Sequence, residues 1–209
     1  MNIIMRNDIY ELEEARRNMI EQQIRPWEVL DANILELLIH VPREQFVPPH
    51  LRSLAFVDFE LPLNIDGVAS GETMLAPKVE ARLLQELGIH ANEKVLEIGT
   101  GSGYMAALAA HRAQTVWSVE IDPRLAAFAS ANLARAGVRN AHVEVGDGAQ
   151  GSNSAVCRTV AACHCGRGPG KCAKSTNCDQ IERAVFFVEY VDRISSRTTC
   201  RTALNKDSC

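Results

Sequence analysis

The stretch "KVLEIGTGSGYMAAL", residues 94–108, most constrains what this chain can fold into. An apolar run with the character of a buried strand meets three glycines in five residues, and an alanine-rich helical stretch follows at once. A strand that passes straight into a helix belongs to a parallel sheet, where the next strand is reached by a crossover. The surrounding residues repeat the pattern. Pro77 suits the first position of a helix with Val79, Leu83, Leu84 and Leu87 on one face and a stop at Gly88. "TVWSVEID" reads as a second strand. Asp122-Pro123 then opens a helix carrying Leu125, Ala129 and Leu133, which stops at Gly137, and "AHVEVGD" reads as a third strand. The expected fold class is therefore α/β: Rossmann-like, doubly wound, with a mainly parallel sheet.

The first 76 residues read as a helical and loop leader. Asp8 to Ile24 places Ile9, Leu12, Ala15, Met19 and Ile20 at helical spacing among charges, and Arg25-Pro26 ends that stretch. Val29, Ile34, Leu37 and Leu38 suit a second helix that ends before Pro42. "VPREQFVPPHL" is a proline-broken loop anchored by Phe46 and Val47, and residues 51–76 suggest loop and short strands.

In an open parallel sheet, ligands bind beyond the C-terminal strand ends, at the turn after the first strand. Glu97, Gly99, Thr100, Gly101 and Gly103 lie there. A glycine-rich turn alone is equally a tight connection between packed elements. Acids at successive strand ends favour a ligand. Glu97 closes the first strand, Glu120 ends the second where ribose hydroxyls would lie, and Asp147 ends the third within reach of an adenine edge. Tyr104 stands where a dinucleotide fingerprint wants its third glycine, so the turn suits a nucleoside rather than a pyrophosphate.

On these residues the sequence resembles the class I S-adenosylmethionine-dependent methyltransferases, and more narrowly the protein-L-isoaspartate O-methyltransferase family. "VLEIGTGSGY" is similar to that family's cofactor motif, and "MIEQQIRP…VLDANILELLIHVPREQFVP" to its helical leader, over roughly residues 16–151. The resemblance implies S-adenosylmethionine as cofactor. Glu97, Gly99 and Gly101, with Thr100 and Gly103, would line its methionyl and ribose side, and Glu120 would take the ribose hydroxyls. Ile121 would lie against the adenine, and Asp147 with Gly148 would reach its polar edge. The implied acceptor is the side-chain carboxylate of an isoaspartyl or D-aspartyl residue in a damaged protein.

Two departures stand out. "GETMLAP", residues 71–77, lies where the family reads G-Q-T-[IV]-S-x-P, so Glu72 replaces a glutamine and Leu75 replaces a serine that positions substrate or cofactor. Thr73 and the Leu75 position are the catalytic candidates, and leucine donates no hydrogen bond. A different acceptor, or cofactor binding without catalysis, therefore stays open.

The second departure follows Gly151. Residues 1–151 hold 13 basic and 21 acidic residues, a formal charge of −8, and no cysteine. Residues 152–209 hold 9 basic and 5 acidic residues and all seven cysteines, with strand character only at 184–191. Zinc ligation by Cys163, His164, Cys165, Cys172 and Cys178 is one reading, although paired C-x2-C spacing is missing. A disulfide framework is another, opposed by the odd count. "GRGPGKC" fails as a phosphate loop for lack of its outer glycine and its Ser/Thr. A shift of reading frame near Gly151 explains the cysteines, the charge reversal and the lost periodicity together. The expected organisation is thus a leader with the acceptor-site segment (1–76), a cofactor-binding half-domain (77–151) and an irregular tail (152–209). A sheet stopped at its third strand would leave "VLEIG" with a bare edge and weaken cofactor affinity.

The whole-chain charge of −4 gives no reason to expect nucleic acid or an anionic membrane, and no apolar run of membrane-spanning length occurs. Charges arrive too early at the N-terminus for a signal peptide, so a cytoplasmic monomer is the expectation. His40, His50, His90, His111 and His142 lack metal-ligand spacing, and Trp27 and Trp117 suit packing.

Overall fold

The computed structural model describes residues 3–148, 159–163 and 183–184, and the chain divides into two compact units, Met1–Gly88 and Ile89–Cys209.

In the first unit, helix α1 (Ile3–Met19) runs into a wide turn at Ile20–Ile24, closed by the Arg25 N–H on the Ile20 carbonyl, and a tight turn at Arg25–Trp27 carries Pro26. Of the apolar stripe expected along this segment, Met19 at the end of α1 and Ile20 just after it are enclosed, as is Ile24, whereas Leu12 is exposed. Helix α2 (Ala32–His40) is capped by Asp31, whose carboxylate accepts from the Asn33 N–H at 2.9 Å. It buries Ile34, Leu35, Leu37 and Leu38. Short strands β1 (Leu61–Pro62) and β2 (Thr73–Met74) pair antiparallel. Helix α3 (Pro77–Leu87) starts on its proline and ends at left-handed Gly88, as its sequence predicts, and buries Leu83, Leu84 and Leu87. Each such leucine contributes about 1.5–3 kcal/mol on enclosure. Helix α3 lies within the compact unit Met1–Gly88. Its Gln85 accepts the N–H groups of Leu30 and Asp31, and its Glu80 meets Arg43.

The second unit is built on β3 (Lys94–Ile98), α4 (Tyr104–Ala110), β4 (Thr115–Glu120), α5 (Pro123–Arg135) and β5 (Ala141–Val145). These are the strand-helix-strand-helix-strand elements legible in the sequence. The sheet also contains β6 (Thr159–Cys163) and β7 (Arg183–Ala184), in the order β5-β4-β3-β6-β7, with every neighbouring pair parallel. Crossing from the first strand to its opposite side after the third is the switch that defines a doubly wound sheet. Among the described residues no helix follows α5.

The bare edge expected for "VLEIG" is corrected: β6 pairs with β3 from Val95↔Thr159 to Ile98↔Cys163, with a register shift after Glu97. "TVAAC" lacks turn residues on its flanks and any polar alternation, so periodicity alone does not mark it as a strand. Within the stretch 184–191, only Ala184 is a described strand residue, and residues 185–191 lie outside the described residues.

The core of the second unit is enclosed by α4, every residue of which is buried, together with Val95, Val116, Leu125, Ala129 and Leu133. Gly103 brings the start of α4 against α5. Its φ of +82° lies in the left-handed region, and an added Cβ would stand 3.2–3.3 Å from the Cβ, carbonyl oxygen and Cα of Ala129. Backbone atoms of a helix yield poorly. Gly103→Ala is therefore expected to cost about 2–3 kcal/mol, combining left-handed strain with overpacking. Chemical denaturation of wild type and variant measures it.

Candidate functional site

The chemistry-bearing residues of the second unit gather where β3 and β4 end. Glu97 and Ser118 are direct partners across the parallel ladder, so both side chains stand on one face of the sheet. The Ser118 hydroxyl donates to Glu97 Oε2 at 2.5 Å, and the Thr100 and Ser118 hydroxyl oxygens lie 2.6 Å apart. A hydroxyl has one proton to give, so the order is Thr100 to Ser118 to Glu97. All three side chains are buried.

The turn between β3 and α4 is pinned at several points. The Gly99 N–H donates to the Val119 carbonyl at 2.8 Å, and the Gly101 N–H donates to Glu120 Oε2 at 2.9 Å. Buried Asn132 of α5 donates to the Ser102 carbonyl at 2.9 Å. Gly99, Gly101 and Gly103 all take positive φ, which brings backbone rather than side chain to the strand ends. Glu120, only 4% exposed, also accepts the Asp122 N–H at 3.1 Å on Oε1. An ionised carboxylate offers about four acceptor sites, and these two backbone bonds leave capacity for a pair of ligand hydroxyls.

Ile121 follows at once and is 60% exposed, an apolar surface at a strand end where sheet packing has no use for it. Asp122 caps α5 by accepting from the Arg124 N–H at 2.8 Å, and the Arg124 side chain and backbone hold its carboxyl below the usual range. Asp147 is exposed beyond β5. Gly148 is buried against β3; a Cβ there would fall 2.2 Å from Ile98 Cγ2, so this glycine serves close packing. The sequence-predicted residues Glu97, Gly99, Thr100, Gly101, Gly103, Glu120 and Ile121 thus converge around two neighbouring strand ends. Ser118 and Asn132 escaped the sequence reading. Their signal was a polar residue inside an otherwise apolar strand or helix face.

In the first unit, half-buried Thr73 donates its hydroxyl to Glu60 at 2.8 Å, and Leu75 is half-buried too. The Leu75 carbonyl accepts from the Arg43 guanidinium at 2.6 Å. Arg43, 1% exposed, also donates to the Ala55 carbonyl at 2.8 Å and pairs with Glu80 of α3. Burial pushes the Glu80 carboxyl from 4.5 up to about 7, with the Arg43 charge and hydrogen bond acting against it. This buried ion pair was not read from the sequence, because "VPREQ" looks like a solvated loop.

Among the described residues no group of three or more His, Cys, Asp or Glu side chains is placed to hold a metal. His164, Cys165, Cys172 and Cys178, required for the zinc reading, lie outside the described residues, and so do most partners for a disulfide framework. Trp117 and His142 stack on neighbouring strands, with ring centroids 4.7 Å apart.

A parallel sheet of this order, with a glycine turn and acids at successive strand ends, defines the class I methyltransferase fold. A solved protein-L-isoaspartate O-methyltransferase shares it at a TM-score of 0.59 and 27% identity, over 69% of this chain and 46% of that one. A Plasmodium falciparum protein, described as a putative protein-L-isoaspartate O-methyltransferase in complex with S-adenosyl-L-homocysteine, matches at 0.54 and 16% identity, over 71% of each chain. The chain belongs to the protein-L-isoaspartate(D-aspartate) O-methyltransferase (PCMT) family, whose model matches residues 14–161. Protein-L-isoaspartate O-methyltransferase 2 of Anaeromyxobacter sp. (strain Fw109-5) is 42% identical over 136 residues, 65% of this chain. The chain spans about half the length of that curated relative, 54%.

Proposed function

We propose that this protein transfers a methyl group from S-adenosylmethionine to the side-chain carboxylate of isoaspartyl or D-aspartyl residues in damaged proteins. The observation that carries the reading is the convergence of Glu97, Gly99, Gly101 and Glu120 at two adjacent strand ends, in a member of this family. Glu120 would hold the ribose hydroxyls, Ile121 would lie under the adenine, and Asp147 with Gly148 would meet its polar edge. Glu97, Thr100, Gly101 and Gly103 would border the methionyl side. When bound, S-adenosylmethionine supplies an electrophilic methyl group on a sulfonium sulfur.

The acceptor carboxylate has an ordinary pKa of about 4 and is ionised at neutral pH, so no residue here needs to remove a proton. The work left to the protein is to align the oxygen with the methyl group and to keep water away. The product ester can close to a succinimide and return in part to a normal aspartyl linkage. Damaged proteins or peptides are the partners on this reading. The protein acts as a cytoplasmic monomer, with no nucleic acid or membrane partner. Among the described residues no helix is long and apolar enough to cross a membrane.

Leu75 favours a second reading, methyl transfer to a different acceptor, because its side chain offers no hydrogen bond where the family has serine. A transfer assay with methyl-labelled S-adenosylmethionine separates the two. An isoaspartyl peptide is expected to take up base-labile label while its aspartyl twin does not. Label on other proteins but on neither peptide supports the second reading, and bound cofactor with no transfer at all indicates a binding protein without catalysis.

On the same reading the chain is organised in three parts, 1–76, 77–151 and 152–209, with a shifted frame after about Gly151. Sequencing codons 145–160 and translating all three frames tests that part: a regular strand-helix pattern in another frame supports it.

A further inference from the structure

Ser118 is a hydroxyl in the middle of β4, between Val116 and Val119, both buried, and Ser118 itself has no solvent exposure. A polar atom so placed is costly unless it is bonded, and its two bonds both lead to the candidate cofactor site. It donates to Glu97 at the end of β3 and is supported by Thr100, inside the glycine turn. A cross-strand hydrogen bond to one carboxylate oxygen restricts rotation of the Glu97 side chain, and a second hydroxyl behind the first fixes the first.

Resting on the cofactor reading above, we propose that Ser118 is a positioning residue. Its hydroxyl, backed by Thr100, holds the Glu97 carboxylate in the orientation that receives the cationic amino group of the cofactor's methionyl half.

The test is equilibrium binding by calorimetry with two ligands. S-adenosylhomocysteine carries the amino-acid half, whereas 5′-methylthioadenosine keeps only the adenosine and a methylthio group. Ser118→Ala is expected to weaken S-adenosylhomocysteine about tenfold, the worth of one hydrogen bond to a charged group. It should leave 5′-methylthioadenosine within about twofold, and Ser118→Thr, which keeps the hydroxyl and suits a strand, should restore the first ligand. Ser118→Cys, close in shape but a weak hydrogen-bond donor, should show the same contrast at smaller size, so the question is answered even if Ser118→Ala fails to fold. Equal weakening of both ligands, or of neither, overturns the positioning role while leaving the cofactor site standing. Wild type binding neither ligand overturns the cofactor site and this role with it.

Discussion

Replacing Arg43 by methionine is expected to destabilise the first unit by about 3–5 kcal/mol at pH 8, the cost of leaving a buried carboxylate without its cation. Methionine keeps the apolar stem of the side chain and removes the guanidinium, so most of the loss is electrostatic and hydrogen-bonding. Three partners are stranded together: Glu80, the Ala55 carbonyl and the Leu75 carbonyl. The effect depends on pH in a defined direction. In the native chain the Glu80 carboxyl sits near 7, above its ordinary 4.5, because it is buried. Stability from that group is therefore complete below about 4.5 and is lost as pH rises through 7. Arg43 opposes the rise, so its removal pushes the carboxyl higher still. The penalty of Arg43→Met should accordingly be smaller at pH 5, where both proteins carry Glu80 protonated, than at pH 8. Urea unfolding read by Trp27 fluorescence in a Trp117→Phe background reports on the unit concerned. A penalty equal at both pH values would mean that Glu80 carries no titrating charge there.

Glu120→Ala is expected to weaken S-adenosylhomocysteine binding by about 100-fold or more. Two ligand hydroxyls would lose a charged acceptor, each bond contributing about 1.5–3 kcal/mol. The Gly101 N–H would also lose the oxygen that fixes it. Glu120→Gln keeps one acceptor oxygen and should fall between wild type and alanine. A thermal melt of each variant separates loss of the site from loss of the fold. An alanine variant that binds like wild type would remove Glu120 from the site.

Much of this architecture was legible because several of its elements obey local rules. Pro77 and Gly88 bracket α3, Asp122-Pro123 opens α5, and the glycine turn joins β3 to α4 as its spacing requires. The acids at the strand ends were legible for the same reason, since a parallel sheet brings successive strand ends together without any knowledge of the sequence between them. What escaped depends on pairing across distance. Nothing near Arg43 announces that Glu80, 37 residues later, will meet it inside the first unit. Ser118 gains meaning only once it faces Glu97 across the ladder. "TVAAC" becomes a strand because β3 offers it an edge, in a region whose own pattern is weak. The position of Leu75 was legible; the Arg43 hydrogen bond to its backbone carbonyl was not.

On the proposed function, the end of the β3–β4 ladder is a nucleoside-cofactor site. Equilibrium dialysis of labelled S-adenosylmethionine against the purified wild-type chain tests it most directly. One bound equivalent per chain, displaced by S-adenosylhomocysteine, is the expected result. A chain shown to be folded by its cooperative unfolding, yet binding no labelled cofactor at millimolar concentration, would contradict it.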